Sequence, residues 1–171
     1  MQRTRAVDGA RVAASIQPAV GGPLLEEARA LFAEYAGTLE LDLSFQGFDA
    51  ELASLPGAYA PPAGRLLVAR HGDAAVGCVA VRALEPGVCE LKRLYVQPVA
   101  RGLGVGRHLT EAAVAEARAA GYRVMRLDTL ATMASARRLY AGLGFRAIPA
   151  YRHNPLPGVE FLELDLRVPE G

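Results

Sequence analysis

Residues Leu94–Leu109, LYVQPVARGLGVGRHL, open like an apolar strand and close like the first turns of a helix. Between these halves Gly102, Gly104 and Gly106 stand at alternate positions, framed by Arg101 and Arg107. A strand and a helix joined by such a bend leave few architectures open. One or two glycines would supply the backbone angles of a tight turn; three of them with two arginines ask for more. Amide N–H groups at a helix N-terminus lack internal acceptors and point outward, and the helix dipole favours an anion there. The bend therefore reads as a phosphate or pyrophosphate cradle, with a plain strand-to-helix turn as the alternative. It is not a P-loop, because Arg107-His108 stands where Lys-Ser/Thr is required. It also departs from the dinucleotide spacing G-x-G-x-x-G, although Asp128 closes the next strand near where a ribose-binding acid would lie. The strand before the bend carries Glu90, Lys92 and Arg93, whereas a parallel strand covered on both faces should be almost wholly apolar. The chain downstream is also short for a doubly wound sheet.

The periodicity of the rest agrees with a mixed sheet and packed helices in one domain over 1–171, residues 1–10 forming a loose lead-in. RVAASIQPA reads as a first strand. From Pro23, Leu24, Ala28, Leu31, Phe32 and Tyr35 fall on one helical face. A short helix begins near Asp49, and a Pro/Gly-rich loop runs to Gly64. RLLVAR, AAVGCVAVRAL and VCELKRLYV are successive strands, the first two joined by an HGD turn. A helix over about 104–120 buries Val105, Leu109, Ala112, Ala113 and Ala117 and stops at Gly121. VMRLDTL is a strand, MASARRLYAGLG a helix with Ala136, Leu139, Tyr140 and Leu143 on one face, and FRAI and EFLELDL are the last strands.

Arg+Lys (19) and Asp+Glu (18) nearly cancel, which argues against a nucleic-acid binder. No stretch approaches the length of a membrane span, and the N-terminus has no long apolar run of a secretory signal, so a cytoplasmic location is expected. Cys78 and Cys89 lie in apolar strands, as buried thiols do, and His71, His108 and His153 show no ligand spacing, so no metal is expected.

The segment Arg101-Gly102-Leu103-Gly104-Val105-Gly106 resembles the R/Q-x-x-G-x-G/A signature of the GCN5-related N-acetyltransferases. About thirty residues on, ARRLYAGLGF resembles that family's second motif, A-x-x-L-Y-x-x-x-G-F. The order of strands and helices is similar to that fold from about Arg11 to Leu166. The resemblance implies an α/β fold: a mixed, mostly antiparallel sheet of six or seven strands, helices on both faces, and a split between the strands before and after the coenzyme-binding helix. It implies acetyl-coenzyme A as co-substrate. The pyrophosphate would rest on the amides of Leu103, Gly104, Val105, Gly106 and Arg107, with Arg101 setting the loop and Gly102 in the bend. The pantetheine arm would enter the split against Leu94, Tyr95 and Val96. One departure from the family pattern is Met133, where many members carry an asparagine; Ser135 and Thr132 are the candidates to substitute for it.

Acetyl transfer to an amine needs a deprotonated acceptor, stabilisation of the charge growing on the thioester oxygen, and a tolerated thiolate. Deprotonating a lysine-like amine at pH 7 costs about 4.6 kcal/mol. Glu90 stands where the histone-acetylating branch of the family places a glutamate base; pairing with Lys92 or Arg93 is the alternative. Tyr140 matches the motif tyrosine that faces the coenzyme sulfur, and a core position is the alternative. Full proton transfer from a phenol to a thiolate is uphill by about 2 kcal/mol, so a hydrogen bond to the thiolate is the expected role. The oxyanion donor implied by the resemblance is the N–H of Leu94 or Val96. Phe45, Gln46, Tyr151 and Asn154 are candidates to line a pocket for a small-molecule or peptide amine, with loop packing as the alternative. Homodimers are common in the family. A non-catalytic acyl-coenzyme A or nucleotide sensor on the same fold is the competing function, and a nicotinamide-linked enzyme stands behind it.

Overall fold

The computed structural model describes residues 14–39 and 47–167. The candidates Phe45 and Gln46 and the lead-in over 1–10 lie outside the described residues. Seven strands form one sheet: β1 (Ser15–Pro18), β2 (Arg65–His71), β3 (Ala74–Glu85), β4 (Val88–Val96), β5 (Val124–Leu130), β6 (Arg146–Ile148) and β7 (Val159–Asp165). Their order across the sheet is β1-β2-β3-β4-β5-β7-β6. Every neighbouring pair is antiparallel except β4 with β5. A mostly antiparallel sheet with one parallel pair excludes the doubly wound reading and meets the expected mixed one.

Two helices cover each face. Helix α1 (Gly22–Thr38), opened by Pro23 in its first turn, buries Leu25, Ala28, Leu31 and Phe32. With α2 (Phe48–Ser54) it packs on Leu66, Val68, Cys78, Ala80 and Tyr95. Helices α3 (Val105–Ala119) and α4 (Ala134–Leu143) cover the other face, where Leu109, Ala113, Ala117 and Tyr140 meet Leu67, Val79, Leu91, Met125 and Leu127. Helix α3 stops where the sequence places the stop. Gly121, at φ 92, carries the chain out, and the N–H of Tyr122 donates back to the carbonyl of Ala117.

Strand β4 is buried along nearly its whole length yet keeps Glu90, Lys92 and Arg93. Buried charges persist when they are paired. Glu90 lies among Arg82, Lys92 and Arg152, and Arg93 is held by Glu51.

Candidate active site at the split in the sheet

Strands β4 and β5 pair only from Val88–Val124 to Glu90–Arg126. Beyond that point their pairing stops, and among the described residues the facing edges of the two strands have no strand partner. A bulge then sets which side chains face which way. Cys78 pairs with Tyr95, but Ala80, two residues on, pairs with Lys92, three residues back. The extra residue lies around Arg93, which adopts φ 59, a left-handed conformation costing on the order of 1–3 kcal/mol for a side-chain-bearing residue. Its guanidinium is fixed by Glu51 at 2.8 Å and lies over the Phe48 ring at 5.1 Å, and the Cys78 thiol donates to its carbonyl at 3.4 Å. One inserted residue reverses the alternation. Glu90, Lys92 and Tyr95 therefore face α1 and α2, and Leu94 and Val96 face α3 and α4.

The glycine bend lies beside this split. Gly102 and Gly104 take φ 81 and 80, so these two are required by backbone angle. Gly106 has ordinary backbone and sits against Val96 and Leu139. The first main-chain bond of α3 runs from the N–H of His108 to the carbonyl of Gly104. Among the described residues the amides of 102–107 have no main-chain acceptor, the arrangement that receives an anion at a helix N-terminus. Arg101 donates from Nε to the carbonyl of Val96 at 3.1 Å and so ties the bend to the end of β4. A side chain added at Gly102 or Gly104 would meet nothing within 4 Å, so open space fronts both.

A cleft of about 720 Å³ joins these parts. It is walled by Leu94, Tyr95 and Val96, by Arg101, Gly102, Gly104, Val105, Gly106 and Arg107, and by the start of α4. Tyr35, Thr38 and Leu39 close it on the α1 side. Of the residues expected to hold the coenzyme, Leu103 alone is missing from the wall; it points outward, 57% exposed. Thr132, Met133 and Ser135 all reach the cleft, so a hydroxyl is present beside the methionine. Arg137 is engaged by Glu160, and Arg138 lies against Ser135.

Tyr140, next along α4 to the cleft-lining Leu139, is itself buried in the core at 5% exposed and is not part of the cleft wall. Its motif has a structural reason. Gly144, at φ 99, ends α4, and the N–H of Phe145 donates to the carbonyl of Tyr140 while the two rings pack 5.4 Å apart. The terminal Gly-Phe thus fixes the tyrosine. Among the described residues its hydroxyl has no hydrogen-bond partner. Burial, with Tyr35 and Asp128 nearby, pushes its pKa above the usual value, so it keeps its proton. The two cysteines are also held as thiols: burial pushes Cys89 up to about 12 and Cys78 further.

Glu90 is 0% exposed and closely surrounded. Arg82 Nε donates to it at 2.9 Å, the Tyr151 hydroxyl at 2.7 Å, and Arg152 lies 3.1 Å away; Lys92 Nζ stands at 3.8 Å. The partner offered above as Arg93 belongs instead to Glu51. Asp128, on β5, accepts from Arg152 at 2.9 Å and from Asn154 at 3.0 Å. Burial raises its carboxyl, and Arg152 with Asn154 more than offsets this, leaving it below the usual carboxylate range. Tyr151 and Asn154, the candidates for an acceptor pocket, lie beside Glu90 and Asp128, and their polar atoms are engaged by those carboxylates. The carboxylate considered for a ribose lies on the face away from the glycine bend. Arg82 and Arg152 gave no signal as a motif; the one available hint was a carboxylate, Glu90 and Asp128, inside each of two strands.

The match to known proteins follows this geometry. The family model described as "Acetyltransferase (GNAT) family" matches residues 25–145. The chain belongs to the GNAT acetyltransferase family. It is similar to an uncharacterized N-acetyltransferase of Schizosaccharomyces pombe, with 44% identity over 83% of this chain and 88% of that one. Among solved structures it is similar to a Klebsiella pneumoniae protein assigned as an acyl-CoA N-acyltransferase, with 30% identity, TM-score 0.72, and coverage of 90% of this chain and 98% of that one. A Salmonella typhimurium protein solved with acetyl-CoA shares the fold at 21% identity and TM-score 0.66, over 91% of this chain and 95% of that one. As a GNAT protein the chain is an acyltransferase, of a family that uses acetyl-CoA and acts on amines. No helix among its described residues is long and apolar enough to cross a membrane.

Proposed function

We propose that this chain moves an acetyl group from acetyl-CoA to a primary amine of a small molecule or peptide, by direct attack of the amine within a ternary complex. The observation that carries the reading is the continuity of the cleft from the unpaired amides of 102–107 to the open edge of β4 and the start of α4. These residues fit the coenzyme. The amides of 102–107 and the α3 dipole would hold the pyrophosphate, and Leu94, Tyr95 and Val96 would receive the pantetheine arm. When bound, acetyl-CoA supplies an activated thioester. The N–H of Leu94 or Val96 faces charge developing on its oxygen. Tyr140, protonated and without a hydrogen-bond partner among the described residues, donates a hydrogen bond to the departing thiolate.

Direct attack is supported by the cysteines, because a thiol held protonated is a poor nucleophile for an acyl-enzyme route. Glu90 is read here as an ion-pair member. Two arginines and the Tyr151 phenol already engage its oxygens, which leaves them committed to the ion-pair cluster rather than open to an acceptor amine. A water takes the proton of the acceptor ammonium, or the amine arrives already neutral; the C–S bond breaks as the C–N bond forms, and the proton then lost from nitrogen ends on the coenzyme thiolate. The whole of 1–171 is read as one acetyltransferase domain acting in the cytoplasm. Calorimetric titration with acetyl-CoA and, separately, NAD tests the reading. Micromolar binding of acetyl-CoA alone, followed by thiol release with a panel of amines, is expected. Failure to bind acetyl-CoA overturns it, and binding without turnover on any amine turns it into a sensor.

A further inference from the structure

Backbone pairing between β4 and β5 ends at Glu90–Arg126, and side chains take over where it stops. Glu90 projects from the last paired position of β4, and Asp128 from β5 two residues beyond the last paired position there. Both lie on the α1/α2 face. The Arg152 guanidinium stands between them, 3.1 Å from Glu90 and 2.9 Å from Asp128. We infer that Arg152 is a positioning residue, tying β4 to β5 across the split and setting the width of the gap that receives the acyl arm. The inference rests on the acetyl-CoA reading above.

Three observations support it. A planar, forked guanidinium can bridge two carboxylates, whereas a lysine, a point charge, reaches one well. Without Arg152, Glu90 would keep Arg82 and Lys92, but the two strands would lose the guanidinium that both carboxylates share, and with it part of the charge that offsets their repulsion. The loop that carries Arg152 is also anchored without it. Tyr151 holds Glu90, Asn154 holds Asp128, and the Asn154 carbonyl oxygen accepts from the N–H of Leu156 at 3.0 Å. Arg152 is therefore spare as a loop anchor. Among these loop residues it alone contacts both strands' carboxylates, and displacements of about 1 Å at a reacting centre are enough to cost rate.

The test separates the arm from the nucleotide. Acetyl-CoA and 3′-phospho-ADP, the coenzyme's nucleotide without its arm, are titrated into the full chain and into Arg152→Met, Arg152→Lys and Asp128→Asn. In Arg152→Met, acetyl-CoA affinity should fall about tenfold, equal to about 1.4 kcal/mol, while 3′-phospho-ADP binds within about twofold of the parent protein. Arg152→Lys should recover part of the loss. Asp128→Asn should act in the same direction, and combining it with Arg152→Met should add little. Unchanged acetyl-CoA affinity in Arg152→Met, or equal losses for both ligands, would overturn the inference. Should Arg152→Met fail to fold, Asp128→Asn carries the same expectation and the same refutation. A parent protein that binds 3′-phospho-ADP but gains nothing from the acyl arm also refutes it. One that binds neither ligand refutes the acetyl-CoA reading itself.

Discussion

Replacing Gly104 separates the backbone role of the glycine bend from its role toward a ligand. Gly104 has φ 80, and a Cβ there meets nothing within 4 Å. Gly104→Ala therefore costs left-handed backbone strain alone, about 1–2 kcal/mol. For a chain of this size that lowers Tm by about 2–8 °C. Gly104→Glu carries the same strain but adds a carboxylate at the N-terminus of α3, where the dipole returns about 0.3–1 kcal/mol. The glutamate variant should thus be at least as stable as the alanine variant. Toward the coenzyme the order reverses. A carboxylate about 5 Å from one phosphate charge, at an effective dielectric of about 20, is repelled by about 3 kcal/mol. That is a loss of roughly a hundredfold or more, against a small loss for alanine. Thermal unfolding gives the first ordering and calorimetry with acetyl-CoA the second. If Gly104→Glu binds acetyl-CoA as Gly104→Ala does, the pyrophosphate does not rest on these amides.

Tyr140→Phe should lower turnover about tenfold to a hundredfold, the worth of a hydrogen bond to a charged group, with acetyl-CoA affinity unchanged; equal turnover would return Tyr140 to a packing role. Glu90→Gln should leave the pH–rate profile in place while Tm falls, because Arg82 and Arg152 then face a neutral amide; a flattened profile would reinstate Glu90 as the base. Burial lowers the pKa of Lys92 to about 8, below its unfolded value of about 10.4. The unfolded chain binds more protons between those values, so this group makes stability rise with pH from about 8 to 10. Lys92→Met should abolish that rise in denaturant unfolding curves, and an unaltered rise would place its origin elsewhere.

Much of this molecule is legible along the chain because its signals are local. Helical spacing in 24–35 and 105–117, the stop at Gly121 and the order of strands need no knowledge of distant residues. The same holds for the glycine bend, where φ 81 and 80 at Gly102 and Gly104 meet the expectation, and for the Leu-Tyr and Gly-Phe of α4, which form one helix end. The family follows from those local signals.

The side-chain environment at the split does not. A bulge of one residue near Arg93 decides that Leu94 and Val96 face α3 and α4, and strict alternation from Glu90 would have placed them on the other face. That bulge is held by Glu51, more than forty residues away in sequence. Whether Glu90 is a free base or a locked ion depends on Arg82, Tyr151 and Arg152, which meet it only after β3 and the segment before β7 have folded onto β4 and β5. Backbone preferences act over a few residues and can be read in order. The environment of a buried carboxylate is the sum of charges brought in from distant parts of the chain, and only the packed sheet assembles it.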